Sequence, residues 1–434
     1  MSPWLEALEK EAAFCQDRFG VFDTLYLGGG TPSLLTAGQM AHLLNSLRRR
    51  FAFSPNTEVT LEANPDDLNQ MKIGAYRDLG VNRLSVGVQS FHDRELAFLG
   101  RRHNTRQTVE ALEAARAAGF ANLSLDLIYG LPGQSLEGWR KTLEQALAFH
   151  PEHLSCYQLT YEPGTPLGRR KARGEVIPAT EEEERDFFLF TSRFLEDHDY
   201  LHYEISNFAR QKGRLGQAPV INPKDATPTL TLPPQGGGDS AVASLPHNVQ
   251  FTANDAQFLA NEEFCPRLIN NQGSFNRKPK TENRKPYFSR HNRKYWRHIP
   301  YLGLGPGAHS FQEGVRWWNV ASVPQYCQSL ARGEAPLADR EILSPEQLRL
   351  EALYLGLRTR EGAPLDLLRQ TRGWEKTLTN LQKSGLVEMR RDRAVPTLEG
   401  FLMADSLPLY FMDADMGKDM AVTRETPLLL APDP

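Results

Sequence analysis

The sequence predicts an α/β protein: a parallel βα barrel, full or partial, with a winged-helix-like unit near its C-terminal end. Three observations predict it. Strand-like and helix-like runs alternate from Thr24 to Tyr161. Polar residues gather at or near the C-terminal ends of several strands rather than in one glycine-rich turn. A capping box at Ser344 opens a run of short helices that ends in two strand-like segments. Alternation alone also admits a doubly wound sheet, and the placement of the polar residues is what favours a barrel.

The first element is a helix. Ser2 suits its N-cap and Pro3 its first turn, and Trp4, Leu5, Leu8, Ala12, Cys15 and Phe19 recur on one face. Strands are predicted at Thr24–Leu27, Glu58–Ala63, Arg83–Gln89, Asn122–Tyr129 and His153–Tyr161. Helices between them are Ala37–Phe51, with Thr36 and Gln39 as a capping box, Thr105–Ala118 and Leu136–Phe149. Several strands are mostly apolar, which suits a sheet covered on both faces. From Gln211 to Phe288 the composition turns to Pro and Gly clusters and a polar, basic stretch without period, which predicts a disordered insertion. Order is expected again from Ser289. Helices at Ser344 onward, Leu365–Gln370 and Trp374–Ser384, a stop at Gly385, and the runs LVEMR and AVPTL make the winged-helix pattern. The domain boundaries so read are 1–210 (partial barrel), 211–288 (insertion), 289–343 (barrel-completing region), 344–410 (winged-helix-like) and 411–434 (flexible tail).

A chain of 434 residues with 40% hydrophobic content can bury a sizeable core in two or three units. Its net charge of −3 argues against a dedicated nucleic-acid binder, although the winged-helix pattern keeps such a regulator as an alternative. No apolar run is long enough to span a bilayer, which leaves only peripheral membrane contact. The N-terminal stretch lacks the pattern of a signal peptide, so the expected location is cytoplasmic. Cys15, Cys156, Cys265 and Cys327 are far apart and form no zinc knuckle, CxxC pair or cluster loop.

Chemistry-bearing residues stand at the strand ends. GGGTP (Gly28–Pro32) follows a strand and opens toward a helix, so its backbone N–H groups are accessible to a ligand. Glu62 can take an ammonium group or sugar hydroxyls. Asp126 lies inside LSLDLIYG, where an acid is expensive unless paired or at a site. Gln89 is an uncharged donor and acceptor, and Arg101 can meet a carboxylate bidentately. Further on, His291-Asn292-Arg293-Lys294-Tyr295-Trp296 sets an imidazole beside two aromatic rings and two cations. The residues alone leave two readings of it: a basic, aromatic strand edge with a structural histidine, or a site for a flat, anionic, iron-bearing ligand.

These motifs, with YLGGGTPSLL, RLSVGVQSF, DLIYGLPGQ, YQLTYEPGTPL, HYEISNFAR and YLGLGPGAHSF, closely resemble the radical S-adenosylmethionine (SAM) family of oxygen-independent coproporphyrinogen III oxidases and HemW-like heme chaperones. The resemblance covers roughly Trp4–Arg210 and Ser289–Leu407. It implies an incomplete (β/α)6 barrel, here lacking its first strand, with SAM contacts at Gly29, Gly30, Thr31, Glu62, Gln89, Arg101 and Asp126. The HNxxYW motif is the mark of the HemW-like branch. It implies heme contacts at His291, Tyr295 and Trp296, with His291 on the heme iron and Arg293 and Lys294 near the propionates.

The family holds a [4Fe–4S] cluster on a CxxxCxxC loop, and this sequence has no such loop. The expectation is therefore a heme-binding chaperone with a weak or vestigial SAM site and no radical catalysis. Its partners would be heme or porphyrin and heme-accepting respiratory proteins. Coproporphyrinogen oxidation by radical decarboxylation is the alternative if the loop belongs to the protein upstream.

Overall fold

The computed structural model of the protein describes residues 3–211 and 286–412. The predicted insertion and tail lie almost wholly outside the described residues. The barrel half runs α1 (Pro3–Cys15), β1 (Phe22–Leu27), α2 (Ala37–Arg50), β2 (Phe53–Ala63), α3 (Gln70–Asp78), β3 (Arg83–Gln89), α4 (Asp93–Phe98), α5 (Thr105–Ala117), β4 (Leu123–Tyr129), α6 (Leu136–Ala148), β5 (His153–Gln158), α7 (Pro166–Ala172), α8 (Glu181–Asp197), β6 (Tyr200–His202) and β7 (Asn207–Arg210). The remainder is α9 (Arg290–Trp296), β8 (His309–Gln312), β9 (Val315–Asn319), α10 (Val323–Ala331), β10 (Leu337–Ile342), α11 (Pro345–Gly356), β11 (Ala363–Pro364), α12 (Leu365–Leu368), α13 (Trp374–Lys383), β12 (Val387–Arg390), β13 (Arg393–Pro396) and α14 (Leu398–Leu402).

Strands β1 to β5 pair in parallel and in chain order; β7 then pairs antiparallel with β5, and β6 antiparallel with β7, to close the row. This is the incomplete α/β barrel that the sequence implied. The strand alternation explains why it stands. Val59 and Leu61, Leu84, Val86 and Val88, and Leu123, Leu125 and Leu127 are buried in one cluster with residues of α2, α3, α5, α6 and α8. The residues between them, such as Thr60, Glu62, Arg83, Ser85, Ser124 and Asp126, take the opposite face, toward the barrel lumen. The strands are thus apolar on one face and polar on the other, not covered by hydrophobic layers on both, as their composition had suggested. Trp139 on α6 is fully buried and donates its indole N–H to Thr191 Oγ1 on α8 at 2.8 Å, tying two outer helices together.

Two local expectations shift. The fifth strand ends at Gln158 rather than Tyr161, with Leu159 N–H on the Tyr129 carbonyl at 2.9 Å as its last ladder bond. HNRKYW forms a helix, α9, with Ser289 as N-cap, so the strand-edge reading fails. Residues 289–343 add no strand to the barrel sheet. Their strands form a separate antiparallel sheet, β10-β9-β8, beside α1. Buried Glu11 on α1 accepts from Gly305 N–H at 2.8 Å, Asn319 Nδ2 at 2.5 Å and Tyr326 Oη at 2.5 Å, which fastens this sheet and α10 to the barrel. Burial raises the Glu11 carboxyl above its ordinary range even against those three donors.

The C-terminal unit has the predicted helices and wing, with β11 added to make a three-stranded sheet, β11-β13-β12. Its core is Leu353, Leu357, Leu368, Leu378, Leu381, Val387, Leu407 and Phe411. It touches the barrel where Phe401 packs on Phe188 and Leu189 of α8. Among the described residues no helix is long and apolar enough to cross a membrane.

Candidate functional site

β1 delivers Tyr26 and then the GGGTP turn to the open end of the lumen. Gly28 has no alternative there: a Cβ would lie 2.6 Å from Tyr26 Cε1 and 2.7 Å from the Glu62 carboxyl carbon. Gly29 follows in the left-handed region at φ 80°. Glu62, near the end of β2, accepts from the Tyr26 hydroxyl at 2.7 Å through Oε1 and from Gly29 N–H at 3.2 Å through Oε2. Burial pushes the Glu62 carboxyl above its usual range, and those two hydrogen bonds pull it back. Thr31 leads into a 3-10 turn, Pro32–Leu34, anchored by Ser33 Oγ on Asp67 at 2.8 Å.

Asp126 faces the same lumen from β4. Ser85 Oγ lies 3.2 Å from it and Ser155 also hydrogen-bonds it. Burial first, then the neighbouring Glu62 charge, raise Asp126 to about 6, with Ser155, Arg83 and Ser85 pulling the other way. Arg101 faces Asp126 electrostatically. Burial lowers its guanidinium, and its Nε has no hydrogen-bond partner among the described residues. Gln89 ends β3 at φ 65°, a left-handed conformation uncommon for a side chain of this kind and worth about 1–3 kcal/mol of strain. The backbone there is held by Ser90 N–H on the Val88 carbonyl at 2.8 Å. The Gln89 amide folds back over Gly87, where a Cβ would sit 3.1 Å from its Nε2.

The HNxxYW helix does not lie on the outer surface. It closes the lower end of the barrel. The His291 ring stacks on Tyr26 with centroids 4.5 Å apart and 19° between planes, and Tyr295 meets its edge at 5.0 Å. His291 Nδ1 is 3.4 Å from Thr24 Oγ1, and Nε2 has no hydrogen-bond partner among the described residues. Glu58 accepts the backbone N–H groups of Arg290 at 3.3 Å and His291 at 3.1 Å. Burial, reinforced by the Lys294 and Arg83 charges, lowers His291 to about 3, so the imidazole is neutral at physiological pH. The two cations expected near propionates are already paired: Lys294 with Asp23, and Arg293 with Glu361 while lying over the Phe288 ring at 4.3 Å. The helix packs against β1 and the C-terminal unit, and that contact supplies these partners. Trp296 is half-buried at its end.

The structure thus brings Gly28, Gly29, Glu62, Asp126 and Arg101 to one lumen, with Gln89 at its rim and His291 on its floor. Sequence reasoning missed Tyr26, Glu58 and Arg83. Arg83 is only 2% exposed, and its Nε has no hydrogen-bond partner among the described residues. The available signal was the period of two. Tyr26 precedes Gly28 by two, Glu58 precedes Glu62 by four, and Arg83 precedes Gln89 by six, so each shares a strand face with a recognised residue.

The lumen fits SAM: a carboxylate held by a glycine N–H, a second acid, a guanidinium with an unused donor, and a turn where a Cβ at Gly28 would collide. Its described residues include no ligand set for an iron–sulfur cluster. Among the described residues no group of three or more His, Cys, Asp or Glu converges to hold a metal. Cys15 and Cys156 are buried in separate hydrophobic clusters, and Cys265 lies outside the described residues.

Residues 2–146 match the radical SAM superfamily. The chain is 30% identical over 362 residues to the heme chaperone HemW of Synechocystis, covering 83% of this chain and 70% of that protein. It is 28% identical over 413 residues to HemW of Bacillus subtilis, covering 93% and 89%. In structure it resembles coproporphyrinogen III oxidase (HemN) from Escherichia coli, with a TM-score of 0.65 at 22% identity over 94% of this chain and 82% of that one, a likeness of fold. With the HNxxYW helix under a SAM-type lumen and relatives of this extent, the chain belongs to the HemW heme chaperone family.

Proposed function

We propose that the protein binds heme at α9 as cargo and passes it to heme-accepting respiratory proteins, and that its barrel holds SAM at low affinity. One observation carries the reading: a neutral imidazole, His291, whose Nε2 has no hydrogen-bond partner among the described residues and whose ring is steadied by Tyr26 and Tyr295. A neutral imidazole offers iron a lone pair without first losing a proton. Tyr295 and Trp296 offer apolar surface to the macrocycle. The Lys294–Asp23 and Arg293–Glu361 pairs involve carboxylates that are 41% and 44% exposed, and pairs of that kind contribute only about 0–1 kcal/mol. Propionates can therefore replace Asp23 and Glu361 as partners, which frees α9 to present its histidine. The same weakness lets the cargo leave, as delivery requires.

SAM, when bound, brings an ammonium, a carboxylate and ribose hydroxyls. In this reading Glu62 and Gly29 with Gly30 and Thr31 hold its amino-acid end, Arg101 and Gln89 meet the carboxylate, and Asp126 takes the ribose.

Heme titration of the full chain should shift the Soret band, and His291→Ala should weaken that binding at least about tenfold, equivalent to about 1.4 kcal/mol. Equal titrations of the two proteins would remove His291 from the account.

A further inference from the structure

We propose that Tyr26 is a positioning residue that couples the helix under the barrel to the carboxylate at its mouth, so that heme and SAM bind with linked and opposed affinities. The inference rests on the reading of the two sites given above. It starts from an unbroken series of contacts: the His291 ring on the Tyr26 ring at 4.5 Å, the Tyr26 hydroxyl on Glu62 Oε1 at 2.7 Å, and Glu62 Oε2 on Gly29 N–H at 3.2 Å.

Each step is constrained on its own. Gly28 leaves no room between Tyr26 and Glu62 for either to drift, since the space a single Cβ would need is already filled. Tyr26 is the one side-chain donor to Glu62 among the described residues, so the phenol sets which way that carboxylate turns. At the other end, His291 cannot move alone. One face lies on Tyr26, an edge on Tyr295, Nδ1 beside Thr24, and its backbone N–H is held by Glu58. Packed groups of this kind shift as a set.

Iron meets Nε2 in the plane of the ring, and a macrocycle has no room to reach that atom while the imidazole lies packed among Tyr26, Tyr295 and Thr24. The imidazole has to tilt or withdraw, Tyr26 loses its support, and the carboxylate loses its fixed acceptor geometry toward Gly29. Heme then weakens SAM, and by thermodynamic reciprocity SAM weakens heme by the same factor. For a chaperone this would tie retention of cargo to occupancy of the barrel.

The test uses the full chain and measures radiolabelled SAM by equilibrium dialysis, without and with saturating heme, while heme is followed by its Soret band. In the wild type, heme should lower SAM affinity at least about fivefold. Tyr26→Phe keeps the ring under His291 but deletes the hydroxyl. It should bind SAM more weakly without heme, show no further effect of heme, and keep the wild-type Soret spectrum. His291→Phe keeps the stack without a ligand for iron, and its SAM affinity should ignore heme. A purely structural role for Tyr26 would leave the heme effect intact in Tyr26→Phe, and that result overturns the proposal. So does a wild type whose two ligands bind independently. A flat titration with either ligand alone overturns the underlying reading of that site, and the coupling with it.

Discussion

Replacing Asp126 with asparagine should make the protein more stable while damaging its candidate site. Burial and the Glu62 charge raise the Asp126 carboxyl from its ordinary 3.8 to about 6. A folded-state value above the unfolded one means that the fold prefers the protonated form. That contribution is present in full below about pH 4 and is lost as pH rises through 6. The ceiling on the loss is about 3 kcal/mol. Asp126 is partly accessible from the lumen, and solvent screening brings the expected value to about 1–2 kcal/mol. An asparagine amide stays neutral at every pH and can still accept from Ser85 and Ser155. Asp126→Asn should therefore exceed the wild type by about 1–2 kcal/mol at pH 7.5, with the gap closing toward pH 5. Urea unfolding followed by circular dichroism from pH 5 to 8 measures it. A variant less stable than wild type at pH 7.5, or a difference that does not change with pH, refutes the reasoning. The same variant should hold SAM more weakly, the trade expected where a charge is kept in place for binding.

Glu11→Ala leaves three buried donors without their acceptor and should cost about 3–5 kcal/mol, whereas Glu11→Gln, which keeps one acceptor oxygen, should cost about 1–2; denaturant midpoints separate the two. Gly28→Ala drives a methyl into Tyr26 and the Glu62 carboxyl, so dialysis should show SAM affinity down at least about tenfold, and unchanged affinity would mean that the turn is not the cradle. His291, lowered from 6.5 to about 3, stabilises the fold above its unfolded value and loses that contribution as pH falls toward 3. His291→Phe should accordingly flatten the acid side of the stability profile, and a profile that keeps its slope would place the acid sensitivity elsewhere.

Much of the barrel could be read from the sequence because its signals are local. Thr36 with Gln39 and Ser344 with Gln347 both form the capping boxes that their spacing announced. Glu62 and Asp126 were found because an acid near the end of an apolar strand is a local anomaly. The rest depends on distance along the chain. Nothing in HNRKYW reveals that its histidine lies on Tyr26, because that contact is made by tertiary packing alone. The segment's basic and aromatic character fitted a strand edge as well as a helix. The β8–β10 sheet went unread because its strands are short and mixed, and its position depends on Glu11, at the other end of the chain. Arg83 escaped for a related reason. At the start of a strand an arginine looks solvated until the strand's other face proves to be a lumen.

The placement of α9 has a consequence for how the molecule is made. Glu58 on β2 waits for backbone N–H groups 232 and 233 residues further on. At about 5–20 residues per second, the ribosome needs roughly 10–50 seconds to supply them. For that interval the nascent barrel is open at its base, with Glu58, Thr24 and one face of Tyr26 in water. Contacts this remote are also slow to form in the released chain. The step that seats α9 therefore comes late, after translation has passed the barrel strands, and a chain arrested before Ser289 would present an unplugged lumen to the cell's quality control.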